Sequence, residues 1–118
     1  MPRPKKCRWI SCSPGASFFK PQGIPLRMLE QVDLEMDELE ALRLADLDAL
    51  SQEEAAQQMN ISRATFGRIV TKARRKVADA LVTGKAIRIE GGPVAPHPGA
   101  QDFRGRYGPH GRGKGPWR

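Results

Sequence analysis

Residues 51–77 read Ser-Gln-Glu-Glu-Ala-Ala-Gln-Gln-Met-Asn-Ile-Ser-Arg-Ala-Thr-Phe-Gly-Arg-Ile-Val-Thr-Lys-Ala-Arg-Arg-Lys-Val. Ser51 and Glu54 stand in the spacing of a capping box, in which each side chain satisfies a backbone N–H of the other's turn. Ala55, Ala56 and Met59 supply the packed side of the helix that follows, and the alanines let a neighbour approach closely. Asn60 tolerates left-handed backbone and ends that helix. Ser62 is a cap for a second helix, with Ile61 and Phe66 placed as a hydrophobic staple. Phe66, Val70, Ala73, Val77 and Leu81 then recur at steps of three and four, predicting a helix to Val82 that Gly84 terminates. A short helix, a tight turn and a longer helix with a basic outer face make a helix-turn-helix pattern.

Working outward, Asp37 and Glu40 have the spacing of another capping box. Leu39, Leu42, Ala45, Leu47 and Leu50 extend it into a leucine-rich helix free of Gly and Pro. Leu29, Val32 and Leu34 support a short strand or an irregular lead-in. Lys85-Ala-Ile-Arg-Ile-Glu alternates apolar and polar residues and reads as a strand. It needs a partner, either from 28–34 or from a second subunit. Residues 1–23 hold four prolines and no helical period, and read as an extended basic arm with anchors at Trp9, Ile10, Phe18 and Phe19. Residues 91–118 hold eight glycines and five prolines with little apolar matter, a composition that predicts disorder. The expected organisation is an arm over 1–23, a mainly α, tri-helical core over 24–90 and a tail over 91–118. So small a core is marginal alone, and dimerisation is expected.

Charge is segregated along the chain, whose net formal charge is +7. Residues 30–54 carry ten acidic residues against Arg43 alone, whereas 62–88 carry eight basic residues against Asp79 alone. One strongly positive side would steer the protein toward a polyanion. The acidic run reads as solvated helix surface or as a partner-binding face.

In a helix-turn-helix, the early residues of the second helix meet base edges and the flanking groups hold phosphates. That geometry assigns Arg63, Ala64, Thr65 and Arg68 to bases; the arginines fork onto guanine, while Ala64 or Thr65 touches a thymine methyl. Ser51, Gln52, Ser62, Thr71, Lys72, Arg74, Arg75 and Lys76 fall to phosphates. Arg3, Lys5, Lys6 and Arg8 form a candidate minor-groove arm. Gly67 is out of place inside a helix, where it costs about 1 kcal/mol relative to alanine, unless a close approach requires it.

Other chemistry finds little support. Cys7 and Cys12, even with His97 and His110, lack the usual spacing of zinc ligands, so no metal or other cofactor is expected. Gly108 and Gly113-Lys114 imitate a phosphate-binding loop without its Ser/Thr, since Gly115 follows the lysine. The segment RGRYGPHGRGKGPWR suits nonspecific nucleic-acid contact. No catalytic constellation stands out, and an enzyme is not expected. No apolar run or export signal is present, so a cytoplasmic, nucleoid-associated protein without membrane contact is expected.

Residues 37–47, 50–56 (Leu-Ser-Gln-Glu-Glu-Ala-Ala) and 61–69 (Ile-Ser-Arg-Ala-Thr-Phe-Gly-Arg-Ile) resemble region four of bacterial sigma factors. Together with Pro-Arg-Pro-Lys-Lys-Cys-Arg at 2–8 and Ile-Glu-Gly-Gly at 89–92, they are similar to an uncharacterised prokaryotic family of predicted DNA-binding proteins with a sigma-region-four-like helix-turn-helix. The resemblance spans about residues 2–92. It implies a tri-helical fold, duplex DNA as ligand and the base-reading roles given above. No second promoter-reading region accompanies it, so a free-standing sigma factor is not expected. The expected function is sequence-specific duplex DNA binding by a transcriptional regulator. A nonspecific nucleoid or RNA-associated accessory protein, or an adaptor contacting RNA polymerase through residues 33–54, stand as alternatives.

Overall fold

The computed structural model describes residues 7–11 and 14–98. Arg3, Lys5, Lys6, Cys12, His110, the phosphate-loop imitation and the tail predicted to be disordered beyond residue 98 lie outside the described residues. Five short strands, β1 (Arg8–Ile10), β2 (Phe18–Phe19), β3 (Gln31–Leu34), β4 (Ala86–Ile89) and β5 (Val94–Pro96), surround three α-helices. The helices are α1 (Met36–Leu42), α2 (Gln52–Met59) and α3 (Arg63–Thr83). The fold is mainly α, with a short strand after the last helix, as the sequence predicts.

The helical unit is inserted between two parallel neighbours. β3 pairs with β4 from Gln31↔Ala86 to Leu34↔Ile89, so the residue that enters α1 and the strand that leaves α3 are fixed side by side. The partner expected for the 85–90 strand is therefore the chain's own 31–34 segment. Beneath α3, Leu34, Ala73 and Ile89 form one core cluster, with Met36, Leu39, Leu42, Val77 and Ile87 around it. A second cluster joins α1, α2 and α3 through Ala41, Leu44, Ala55, Ala56, Met59, Phe66, Ile69 and Val70. Phe66, Met59 and Val70 are its largest fully buried side chains.

Four expectations change. The first helix is capped two residues earlier than Asp37: Glu35 is the N-cap, and its carboxylate and that of Glu38 close the box reciprocally. The run Glu-Met-Asp-Glu-Leu-Glu holds acidic pairs at three-residue spacing in both registers. β3 settles the choice, because extended backbone runs through Leu34 and Glu35. That helix also does not run to Leu50. It widens into a π-helical turn over Arg43–Leu47 and is stopped by Ala49 at φ 59°.

The acidic run is a solvated surface only in part: Glu30, Asp33, Asp46, Glu53 and Glu54 are exposed, but its centre is not. Asp37, Glu38 and Glu40 are buried, as is Arg43. The Arg43 guanidinium forks onto Glu40 at 2.9 and 2.7 Å and donates to Asp48 at 2.7 Å. Glu40 accepts a further bond from the Ser11 N–H at 3.0 Å. Glu38 is paired with Lys76 at 2.7 Å. Buried charges persist only when paired and hydrogen-bonded in this manner.

The boundaries drawn at 23 and 90 fall within the packed fold. β2 pairs antiparallel with β4, and β1 pairs parallel with β5 from Arg8↔Val94 to Ile10↔Pro96. Ile10 is buried, and the Trp9 ring meets His97 edge-on at 4.9 Å. Pairing with a distant strand orders residues whose local composition favours extended, unpaired chain.

Candidate nucleic-acid interface

The turn between α2 and α3 is built as its residues dictate. Ser51 Oγ accepts from the Glu54 N–H at 3.1 Å, and Glu54 Oε1 accepts from the Ser51 N–H at 3.1 Å. Asn60 takes the left-handed conformation, φ 58° and ψ 45°. Ser62 Oγ accepts from the Thr65 N–H at 3.1 Å and starts α3, which Gly84 ends at φ 74°. The apolar steps of α3 bury Phe66, Ile69, Val70, Ala73 and Ala80, which orients the helix about its own axis.

With one side inward, the opposite side is decided by the turn of about 100° per residue. Ala64, Gly67, Arg68, Thr71, Lys72 and Arg75 fall on one outward strip and line an open depression of about 610 Å³. Small residues alternate with long cations along it. Gly67 has no crowding neighbour: a β-carbon there would meet Gln52 Oε1 at 3.6 Å, an ordinary contact. Gln52, at the start of α2, therefore borders the same strip.

The residues singled out from sequence divide into three groups. Ala64, Arg68, Thr71, Lys72 and Arg75 come together on the strip, with exposed Arg63 off to its flank. Thr65 and Ser62 are occupied by the cap: Thr65 Oγ1 accepts from Ser62 Oγ at 2.9 Å and from Arg68 Nη2 at 3.2 Å. Thr65 thus steers Arg68 rather than pointing outward beside it.

The third group faces the protein. Arg74 holds Asp46 of the π-helical turn through two bonds, at 3.1 and 2.8 Å. That contact keeps the Asp46 carboxyl below its ordinary pKa and raises that of Arg74. Lys76 donates to the Asp33 carbonyl and to Glu38, both at 2.7 Å. Arg8 lies in β1 with its side chain 12% exposed and 3.7 Å from Asp37. It is part of the fold and not of a groove-seeking arm. Neither Lys76 nor Arg8 was distinguishable in sequence from its basic neighbours, because their carboxylate partners are 38 and 29 residues away.

Among the described residues, the Asp37 carboxyl is pushed above its ordinary pKa. Burial is the main cause, followed by the negative charge of Glu35, with Arg8 opposing both. Cys7 is exposed, and among the described residues no group of three or more His, Cys, Asp or Glu side chains is placed to hold a metal ion. No helix among them is long and apolar enough to cross a membrane.

Comparison with known proteins places this arrangement in a family. The family model described as "Protein of unknown function DUF134" matches residues 1–96. A UPF0251 protein of Caldanaerobacter subterraneus subsp. tengcongensis is 56% identical over 108 residues, covering 92% of this chain and 90% of that protein. A UPF0251 protein of Desulfosudis oleivorans is 65% identical over 92 residues, which span 78% of this chain and 67% of the other. A third, from Dehalococcoides mccartyi, is 62% identical over 92 residues, 78% and 79% of the two chains. No solved structure matches the chain.

Proposed function

We propose, for this chain, which belongs to the family described as "Protein of unknown function DUF134", that it binds duplex DNA with α3 in the major groove and acts as a transcriptional regulator. One observation carries the reading: the outward strip of α3 presents Arg68, Lys72 and Arg75 around small Ala64, Gly67 and Thr71, beside an α2 docked by a tight left-handed turn. A helix about 10–12 Å across fits a major groove about 12 Å wide, and small residues at its crest let the backbone come close to base edges.

Within that reading, Arg68 is the principal base reader, because Thr65 holds its guanidinium in place before DNA arrives. Arg63, Lys72 and Arg75 meet phosphates, and Gln52 touches the backbone on the α2 side. Arg74 and Lys76 contribute through the fold, by fixing α3 against Asp46 and Glu38. The adaptor alternative loses support, since three carboxylates of its acidic face are buried.

Selection of bound fragments from random duplex DNA, followed by competition at fixed salt, tests the proposal. A regulator prefers its site over bulk DNA by about 10³-fold or more. Arg68→Ala should relax preference at one base position, whereas Lys72→Ala should weaken all sequences alike. Equal losses on every sequence for both variants would assign the protein to the nonspecific accessory class instead.

A further inference from the structure

Eight large apolar side chains among the described residues remain open to water, and apart from Phe18 and Leu47 the topology gathers them at one end of the fold. Leu81 is 75% exposed and Val82 83%, on the last turn of α3; Met28 is 69% exposed, and Phe19, Leu26 and Ile24 lie between 40% and 53%. Phe19 stands opposite Ile87 on β4, and Val32 stands opposite Ile87 from the other side. Phe19 therefore shares the sheet face that packs under α3. The chain next crosses from β2 to β3 around the start of β4. Glu30, at the end of that crossing, accepts from the Ala86 N–H at 2.9 Å, and its carboxylate lies 3.6 Å from Lys85. Lys85 in turn holds Asp79 of α3 at 2.9 Å. These bonds tie the end of the crossing segment, which carries Leu26 and Met28, to the C-terminal end of α3.

We infer that this end of the molecule is a self-association surface and that its occupant is a second copy of this chain. The exposed apolar area, on the order of 600 Å² from the fractional exposures, is at the upper end of what monomers show. It approaches the roughly 800 Å² per partner of a stable interface. The charges around it are of both signs, with Lys20, Arg27 and Lys85 against Glu30 and Asp79. A mixed border complements itself about a twofold axis. A lipid surface, by contrast, selects a basic border. The DNA-reading strip lies on the N-terminal half of the same helix, so the surface leaves it uncovered; this last point alone rests on the proposed function.

Sedimentation equilibrium of the full chain without DNA, across the micromolar range, tests the inference independently of any DNA contact. The wild-type protein should be a dimer. Leu81→Asp and Met28→Asp should each raise its dissociation constant by about 30-fold or more. Both sites are largely exposed, so unchanged helical circular dichroism should accompany the loss. A wild-type monomer throughout the range overturns the inference, as does a dimer that neither substitution weakens. A monomer that cosediments with phosphatidylglycerol vesicles would also overturn it, giving the patch to a lipid surface.

Discussion

Gly67 and Asp37 each concentrate a trade between stability and another demand on a single residue. Alanine at 67 fits, because its β-carbon meets only Gln52 Oε1 at 3.6 Å, and it removes the entropic cost of glycine in a helix interior. Gly67→Ala should therefore stabilise the fold by about 0.5–1 kcal/mol in urea denaturation. On the proposed reading it should also weaken DNA binding, since the new methyl stands on the strip that approaches the bases. Asp37 shows the opposite sign of trade. Its folded pKa is raised by burial and by Glu35, so the native state binds its proton more tightly than the unfolded chain does. Stability then falls as pH rises through the window from the unfolded value to the raised native one. Asp37→Asn keeps an oxygen for the Glu38 N–H that Asp37 Oδ1 accepts at 2.9 Å. The variant should melt at a higher temperature than wild type at pH 7, with the gap closing as pH approaches the ordinary aspartate pKa near 4. An equal gap at both pH values would remove ionisation of Asp37 as the cause.

At the scale of elements, the π-helical turn over Arg43–Leu47 is held by charge. Arg43 spans Glu40 and Asp48 from a buried position, and Ala49 accepts positive φ so that the chain can restart at Ser51. Removing one member of a buried ion-pair network strands the others, at a cost of about 3–5 kcal/mol. Arg43→Ala should lose that much in chemical denaturation. Arg43→Lys should recover only part of it, because an ammonium cannot fork onto Glu40. The Asp46–Arg74 contact is half-exposed on both sides and worth at most about 1 kcal/mol. Its stabilisation is present above the unfolded aspartate pKa and disappears as pH falls through the lowered native one. Asp46→Asn should leave the melting temperature nearly unchanged at pH 7. The freed guanidinium should raise affinity for all duplexes alike, which a gel shift on specific and random DNA reads directly.

For the molecule as a whole, the net charge of +7 understates the asymmetry that a polyanion meets. Burial and pairing take Asp37, Glu38 and Glu40 out of the surface field together with Arg8, Lys76 and Arg43. The asymmetry therefore lies in the arrangement: Arg63, Arg68, Lys72 and Arg75 all remain outward along one helix. If those four cations meet phosphates or bases, the logarithm of affinity should fall against the logarithm of salt with a slope of about −4. Deleting residues 2–6 separates the contribution of Arg3, Lys5 and Lys6. A shallower slope without them supports a minor-groove arm, and an unchanged slope rejects it. The same charges steer association, so the on-rate should show a steep salt dependence as well.

The Ser51–Glu54 capping box, the left-handed stop at Asn60, the serine cap at 62 and the three- and four-residue apolar steps of α3 from Phe66 to Val77 act between residues a turn apart. Each was therefore legible from local order alone, and so was the pairing need of the 85–90 strand. The Glu35–Glu38 box, by contrast, needed β3 to choose its register. Whether Lys76, Arg74 and Arg8 face outward depends on Glu38, Asp46 and Asp37, at separations no periodicity encodes. The same holds for β5, whose proline-rich composition predicts loose chain until β1 supplies its hydrogen bonds. Composition and short-range pattern specify which elements form and which stripe of each is apolar. Long-range pairing in the folded chain decides which charges are spent on the fold and which are left for a partner.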